Sequence, residues 1–304
     1  MGLAGIATSL RTWRRVTMQR FHLSACLRFA VLAVSLGGFA AEVSAAGPIA
    51  DKALEAVVRQ QVFEKRDKPD DLTEDDLKKV FILEGRNKGI KDLSGLEKCP
   101  NLALINLAGN EIEKVDQLKD LKNLQSLDLS KNKIADITPL ANIKALQFVE
   151  LSDNQITAVD ALADLPKLSA LYIAGNKITN VTPLANLKKL SSLDLARNGL
   201  SDVAPLTPLV PNLMTFKLSE NKIQNLAPFA AAAPRMLLLL EKNEIADLGP
   251  LVEACQKDAA GDKRFAPFLR LYLIGNPLGD AAKGAQIDAL KAAGVKVFLE
   301  PEKK

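Results

Sequence analysis

Asparagine recurs along this chain at a fixed interval, together with a constant apolar frame. Around Asn132, apolar residues stand three, five and eight positions before it and two, five and eight positions after it. The same frame returns in steps of 22 residues, with one step of 23 and one of 33. The anchors are Asn110, Asn132, Asn154, Asn176, Asn198, Asn221, Asn243 and Asn276. A copy with Lys88 at the anchor precedes them and brings the number of copies to nine. Self-similarity at such a period indicates a solenoid.

The spacing matches the leucine-rich repeat, L-x-x-L-x-L-x-x-N-x-L. The L-x-L piece predicts a short strand whose two leucines point the same way. The chain must then turn back, and buried backbone groups in that turn need partners. An asparagine side chain both donates and accepts, so a stacked column of asparagines can satisfy them. We therefore expect the eight asparagines to form a structural ladder.

The convex side of each short copy has room only for turns or 3₁₀ segments. Proline, which suits a tight return there, stands seven residues after five of the anchors, at Pro139, Pro183, Pro205, Pro228 and Pro250. Only the long copy can hold a real helix, within 251–267. The predicted fold is an α/β solenoid, a curved stack of about nine repeats with a parallel sheet on the concave face.

The two ends differ from the repeats, as an open stack requires caps. Residues 48–62 predict an amphipathic helix, and Thr73 with Asp76 resembles a capping box that opens a second helix. At the other end, 280–293 predicts a helix and 295–299 a last strand. The expected organisation is a signal peptide at 1–45, a helical cap at 46–79, repeats at 80–279 with the long copy at 251–279, and a C-terminal cap and tail at 280–304.

The N-terminal cap, with Asp71-Leu72-Thr73 through Leu77 and then Gly89 through Leu96, resembles that of the internalins and similar secreted bacterial repeat proteins. The resemblance covers residues 48–299. It implies a curved solenoid that binds partner proteins. No sorting signal like that of wall-anchored internalins stands in this sequence, so the resemblance does not extend to surface attachment or host invasion.

The first 45 residues have the pattern of a cleaved secretory signal. Five arginines precede an apolar run at 29–41, which is followed by small residues, and cleavage is expected near Ala45 or Ala46. The run is shorter than the roughly 20 residues of a membrane span. We expect a secreted or periplasmic protein with no stable membrane span.

Removing the signal changes the charge and the chemistry of the chain. Of 40 basic and 36 acidic residues, the signal holds five and one, which leaves 35 of each. A net charge of zero argues against nucleic acid as a partner. The single histidine, His22, is also lost, so the mature chain has no imidazole base or metal ligand. We expect no catalysis, no cofactor and no metal.

Residues six, four and two positions before each anchor are predicted to face the concave side. The middle column holds both tyrosines, Tyr172 and Tyr272. Phe148 lies one column away and close to Tyr172, and the acids Asp128, Glu150 and Asp194 surround the pair, with Lys217 beyond. An aromatic centre with an acidic rim suits a partner with basic and apolar groups. The alternative is that the carboxylates simply keep this face soluble.

A second candidate surface follows from four consecutive leucines at 237–240. Because side chains along a strand alternate between faces, two of them must point outward, and the frame selects Leu237 and Leu239. Their expected neighbours in the next copy are Tyr272 and Ile274. Exposed apolar clusters usually mark interfaces. The alternative is a distorted copy that buries them, because Arg235 stands at a leucine position.

The sequence thus predicts a non-catalytic, exported module that binds an unknown protein on its concave face. The alternative is a module that binds glycan or cell-wall polymer through the same aromatic and carboxylate groups. We expect a monomer, because the free energies for and against dimerisation nearly cancel. Burying about 300 Å² of the second candidate surface contributes roughly 7 kcal/mol. Association entropy costs a comparable amount, about 4–15 kcal/mol.

Overall fold

The computed structural model describes residues 47–300, and the predicted signal peptide, His22 and the last four residues lie outside that range. Ten parallel strands form one sheet in which each strand pairs with the next along the chain. The strands are β1 (Ile82–Glu84), β2 (Leu104–Asn106), β3 (Ser126–Asp128), β4 (Phe148–Glu150), β5 (Ala170–Tyr172), β6 (Ser192–Asp194), β7 (Thr215–Lys217), β8 (Leu237–Leu239), β9 (Arg270–Tyr272) and β10 (Lys296–Phe298). The predicted leucine-rich repeat solenoid is confirmed.

Short 3₁₀ helices return the chain on the side opposite the strands, as predicted. They span Leu96–Lys98, Asp116–Leu118, Thr138–Asn142, Asp160–Leu162, Thr182–Asn186, Ala204–Leu206, Val210–Asn212 and Ala227–Phe229. The repeating prolines, such as Pro139 and Pro183, stand in the first turn of these helices. Proline fits there because the first N–H groups of a helix have no partner within it.

The core is a continuous stack of aliphatic side chains between the sheet and the 3₁₀ helices. The middle residue of each strand points into it: Leu127, Val149 and Leu171 are completely buried. Leucines on either side of the turns close the stack, so each repeat buries its apolar face only against its neighbours. This nearest-neighbour packing is characteristic of solenoids.

The asparagine side chains bridge consecutive repeats by hydrogen bonds. Asn154 donates from Nδ2 to the carbonyl oxygens of Leu129 and Leu151, both at 3.0 Å. Its Oδ1 accepts from the backbone N–H of Ile134 at 2.9 Å. The other anchors repeat this pattern, as at Asn132. Each asparagine thus holds its own turn and the turn of the repeat before it.

The N-terminal cap consists of α1 (Lys52–Gln61), a 3₁₀ turn at Phe63–Lys65 and α2 (Glu74–Leu77). The first helix begins four residues later than the sequence predicted, because the Asp51 side chain caps it by accepting from the N–H groups of residues 53 and 54. The predicted capping box of Thr73 and Asp76 is present at the start of α2. This cap covers the β1 end of the core with Leu54, Val57 and Val58.

The C-terminal part departs from the regular repeat in two places. The long copy holds α3 (Gly249–Ala260), which begins two residues before the predicted range with Pro250 in its first turn. The predicted last helix consists of a π-helical turn, Ala282–Gln286, followed by α4 (Ile287–Ala292). Gly294 then takes the positive φ of 97° at which glycine is favoured, and β10 follows.

Candidate functional site

The sheet presents its second face away from the core, and we call this the outer face. In each strand the two residues beside the buried one point to the outer face, because side chains alternate along a strand. The strand register is continuous from β1 to β10, so equivalent residues form straight rows across the sheet. The row formed by the last residue of each strand corresponds to the middle column of the sequence analysis. It consists of Glu84, Asn106, Asp128, Glu150, Tyr172, Asp194, Lys217, Leu239, Tyr272 and Phe298.

The central part of this face brings the predicted aromatic pair together. The rings of Phe148 and Tyr172 lie with centroids 5.6 Å apart and an angle of 45° between their planes. In the strand register Phe148 faces Ala170, and Tyr172 faces Glu150. The ring contact is therefore diagonal, and the small side chain of Ala170 leaves room for it. Phe148 is 36% exposed, so the pair offers an aromatic surface to solvent.

Three carboxylates lie in the row that contains Tyr172, and each one accepts a hydrogen bond from the backbone just after its own strand. Asp128 accepts from the backbone N–H of Ser130 at 3.1 Å and from its hydroxyl at 2.7 Å. Glu150 accepts from the N–H of Ser152 at 2.8 Å, and Asp194 accepts from the N–H two residues on at 3.1 Å. These side chains thus have a local structural function that the sequence pattern did not reveal.

The charges around Tyr172 are arranged asymmetrically. On one flank, Lys217 Nζ lies 3.1 Å from Asp194 Oδ2 and 5.7 Å from the centre of the Tyr172 ring. On the other flank stands Glu150, which forms no ion pair within residues 47–300. Burial raises the pKa of Glu150, and the negative charges of Asp128 and Asp194 raise it further, although hydrogen bonds from Ser152 oppose the shift. We call Asp128, Phe148, Glu150, Tyr172 and Asp194 the central patch.

The C-terminal end of the outer face differs in detail from the sequence prediction. Leu237 and Leu239 point outward and are half-buried, whereas Leu238 and Leu240 are buried. Their register partners in β9 are Arg270 and Tyr272. The expected neighbour Tyr272 is therefore present beside Leu239, whereas Arg270 and not Ile274 lies beside Leu237. Ile274 is half-buried and lies two residues beyond the end of β9.

Two residues that were not predicted complete this region. Tyr272 stacks on Phe298 with ring centroids 4.3 Å apart and an interplanar angle of 8°. The guanidinium of Arg270 lies 5.6 Å from the centre of the Tyr272 ring and 5.3 Å from that of Phe298. Both residues stand at outward-facing strand positions, Arg270 in β9 and Phe298 in β10. Continuing the rows of outward residues through the last predicted strand would have identified both. We call Leu237, Leu239, Arg270, Tyr272 and Phe298 the C-terminal patch.

Within residues 47–300, no three acidic, histidine or cysteine side chains are grouped closely enough to hold a metal ion. Cys99 and Cys255 are buried in the core, and burial raises the pKa of each thiol to about 12. No helix in the described part of the chain is long and apolar enough to cross a membrane.

Comparison with known proteins agrees with this architecture. A family model described as leucine-rich repeats (2 copies) matches residues 100–142, 144–186 and 166–208. No curated protein sequence matches the chain.

Solved structures match over a larger share of the chain. Internalin C2 from Listeria monocytogenes is 27% identical with a TM-score of 0.60, over 83% of this chain and 94% of that one. The internalin InlF from the same species is 23% identical with a TM-score of 0.52, over 83% and 89%. The ectodomain of the plant receptor kinase GASSHO1/SCHENGEN3 from Arabidopsis thaliana, solved with CASPARIAN STRIP INTEGRITY FACTOR 2, is 20% identical with a TM-score of 0.52, over 68% and 28%. The chain is an internalin-like leucine-rich repeat protein.

Proposed function

We propose that this chain is an exported, non-catalytic recognition module that binds a partner protein on the outer face of its sheet. The observation that carries the proposal is the central patch, where the exposed ring of Phe148 contacts the half-buried ring of Tyr172 between carboxylates. Exposed aromatic residues at the centre of a surface are the usual anchors of protein interfaces. The internalin-like fold and the plant receptor ectodomain in complex with CASPARIAN STRIP INTEGRITY FACTOR 2, which shares the fold, support a module for protein–protein interaction.

The charges of the central patch define the partner group that fits there. Lys217 provides an internal example, since its ammonium lies beside both a carboxylate and the Tyr172 ring. A lysine or arginine of the partner can take the equivalent place on the Glu150 side of the same ring. Cations near an aromatic face gain about 0.5–2 kcal/mol, and a carboxylate within hydrogen-bond reach adds to this. The partner therefore presents a basic side chain next to an apolar one.

The C-terminal patch provides a second area of contact on the same face. It combines two leucines, a stacked aromatic pair and an arginine, a composition typical of the centre of an interface. The β4 and β9 strands are five strand positions apart, about 24 Å at the usual strand spacing. A folded partner domain, or about seven residues of extended chain, can therefore reach both patches at once.

Export and the monomeric state belong to the same proposal. Export rests on the signal-like pattern of residues 1–45, and cleavage after residue 45 is tested by sequencing the N-terminus of the mature protein. The monomer rests on the C-terminal patch, whose leucines are half-buried and so add less to an interface than fully exposed ones. Sedimentation at micromolar concentration tests it, and a tight dimer would contradict it.

The decisive experiment removes the two aromatic rings. We expect Phe148→Ala with Tyr172→Ala to fold normally and to bind the partner, recovered by crosslinking from the native host, at least about 100-fold more weakly, because anchors of this kind cost 2 kcal/mol or more each. The control is Phe63→Ala, which removes an aromatic ring in the N-terminal cap that is 81% exposed, compared with 36% for Phe148. Unchanged affinity of the double variant would exclude the central patch as the binding site.

A further inference from the structure

A cavity of about 400 Å³ lies away from the outer face, between the segment that leads into β8 and the region around the end of α3. One wall is formed by the alanines at 231–233 together with Arg235. The other wall is formed by the C-terminal half of α3 and the loop that follows it, as far as Phe265. Its volume lies within the range of about 300–1,000 Å³ that is typical of small-molecule sites.

The two walls of this cavity are the two most irregular segments of the solenoid. Arg235 stands where the preceding copies have core leucines such as Leu213, and its side chain is exposed while Ala233 fills the core instead. The opposite wall belongs to the long copy, in which the step from Asn243 to Asn276 is 33 residues instead of 22. Departures from a local structural rule are expected at functional sites, and here two separate departures form one cavity.

The lining of the cavity is rich in cations. Arg235, Lys257 and Arg264 all line it and are exposed. None of the three forms an ion pair within residues 47–300. They come from three different segments of the chain, so their convergence is a product of the fold and not of a basic run in the sequence.

Two carboxylates also line the cavity, and one of them accepts hydrogen bonds from the backbone. Asp258 is buried and accepts from the backbone N–H groups of Arg264, Phe265 and Ala266 at 2.8, 3.0 and 2.9 Å. Its hydrogen-bonding capacity thus serves to fix the loop that carries Arg264. The other is Asp262, which is exposed. Three cations and two carboxylates leave the lining with a charge of +1.

The remaining lining is small or apolar. Alanines 231–233, Ala254 and Gly261 leave the space open, and Phe265 and Pro211 add apolar surface. Guanidinium groups suit oxyanions because their planar fork donates two parallel hydrogen bonds. We propose that this cavity binds a phosphate or sulfate monoester, with the oxyanion held by Arg235, Lys257 and Arg264 and the organic part against the alanines and Phe265.

The experiment uses isothermal titration calorimetry on the mature chain, with phenyl phosphate, phenyl sulfate, inorganic phosphate and benzoate as probes at matched ionic strength. We expect saturable binding of one equivalent of phenyl phosphate or phenyl sulfate. Inorganic phosphate should bind more weakly because it lacks the apolar part. Benzoate should bind more weakly because its planar carboxylate offers two oxygens to the three cations, whereas the ester head groups offer three. The two ester probes distinguish a phosphate source from a sulfate source.

Variants then locate the site. Arg235→Gln with Arg264→Gln should weaken ester binding about tenfold or more, and Ala231→Phe should block the cavity without changing a charge. The control, Lys119→Gln with Lys122→Gln, removes two exposed cations elsewhere and should change nothing. The central-patch double variant should also bind the esters normally, so this proposal stands or falls separately from the proposed function.

Three results would overturn the proposal. The first is no saturable ester binding up to about 10 mM, well above the roughly millimolar affinity of a weak specific site. The second is equal loss in the cavity variant and the Lys119/Lys122 control, which would show attraction by general charge. The third is unchanged binding in Ala231→Phe, which would place the ester elsewhere. Circular dichroism of each variant confirms that it is folded.

Discussion

Replacing one ladder asparagine tests whether the hydrogen bonds between repeats hold the solenoid together. Asn154→Ala lies in the middle of the stack, far from both caps. The substitution leaves the N–H of Ile134 without the acceptor that it has at 2.9 Å. It also removes one donor from the carbonyl oxygens of Leu129 and Leu151.

The size of the effect follows from which of these groups keeps another partner. Leu129 O still accepts from Asn132, and Leu151 O still accepts from Asn176. Each carbonyl therefore loses about 0.5–1 kcal/mol, whereas the buried N–H loses its acceptor at a cost of about 1–3 kcal/mol. We expect the free energy of unfolding to fall by about 3 kcal/mol.

Urea unfolding followed by circular dichroism measures this difference, with the slope of the transition checked because repeat stacks can lose two-state behaviour. The matched control is Asn142→Ala, an exposed asparagine in a 3₁₀ helix, which should change stability by less than about 0.5 kcal/mol. A loss below about 1 kcal/mol in Asn154→Ala would refute the reasoning, because it would mean that water replaces the asparagine at the turn.

Three further changes probe the face, the cap and the acidic centre. Leu239→Asp should leave the melting temperature nearly unchanged while Leu238→Asp, one residue away in the core, should prevent folding. Thr73→Ala should cost about 1 kcal/mol in urea unfolding, because it removes the hydroxyl that caps α2. The raised pKa means that Glu150 binds a proton more tightly in the folded state than in the unfolded state. Deprotonation of this carboxyl, as the pH rises above its ordinary pKa of 4.5, therefore lowers the free energy of unfolding. Glu150→Gln should remove that part of the pH dependence, and an unchanged profile would show that the carboxylate is solvated.

The regular part of the solenoid was predictable because one frame determines it. The apolar positions around each asparagine specify which residues are buried, and the fixed step specifies which residues are neighbours in the sheet. The irregular part was harder to predict from the sequence. The start of α1 depends on capping by Asp51, and the π-helical turn before α4 has no periodic signal. The register between β8 and β9 follows from the frame itself, which puts Tyr272 beside Leu239 and Arg270, instead of Ile274, beside Leu237.

Side chains on the outer face contact one another along rows and across diagonals, and both kinds of contact determine what this face can bind. Rows are set by backbone pairing and can be read from the sequence, whereas ring contacts depend on how side chains lean along the strand. Phe148 reaches Tyr172 across a diagonal because its direct neighbour is Ala170. Tyr172 has Glu150 and Asp194 as its row neighbours, so a carboxylate residue stands on each side of it in the row. Replacing Ala170 with a larger residue such as leucine should therefore separate the rings without removing either, and partner binding should weaken while both aromatic side chains are still present.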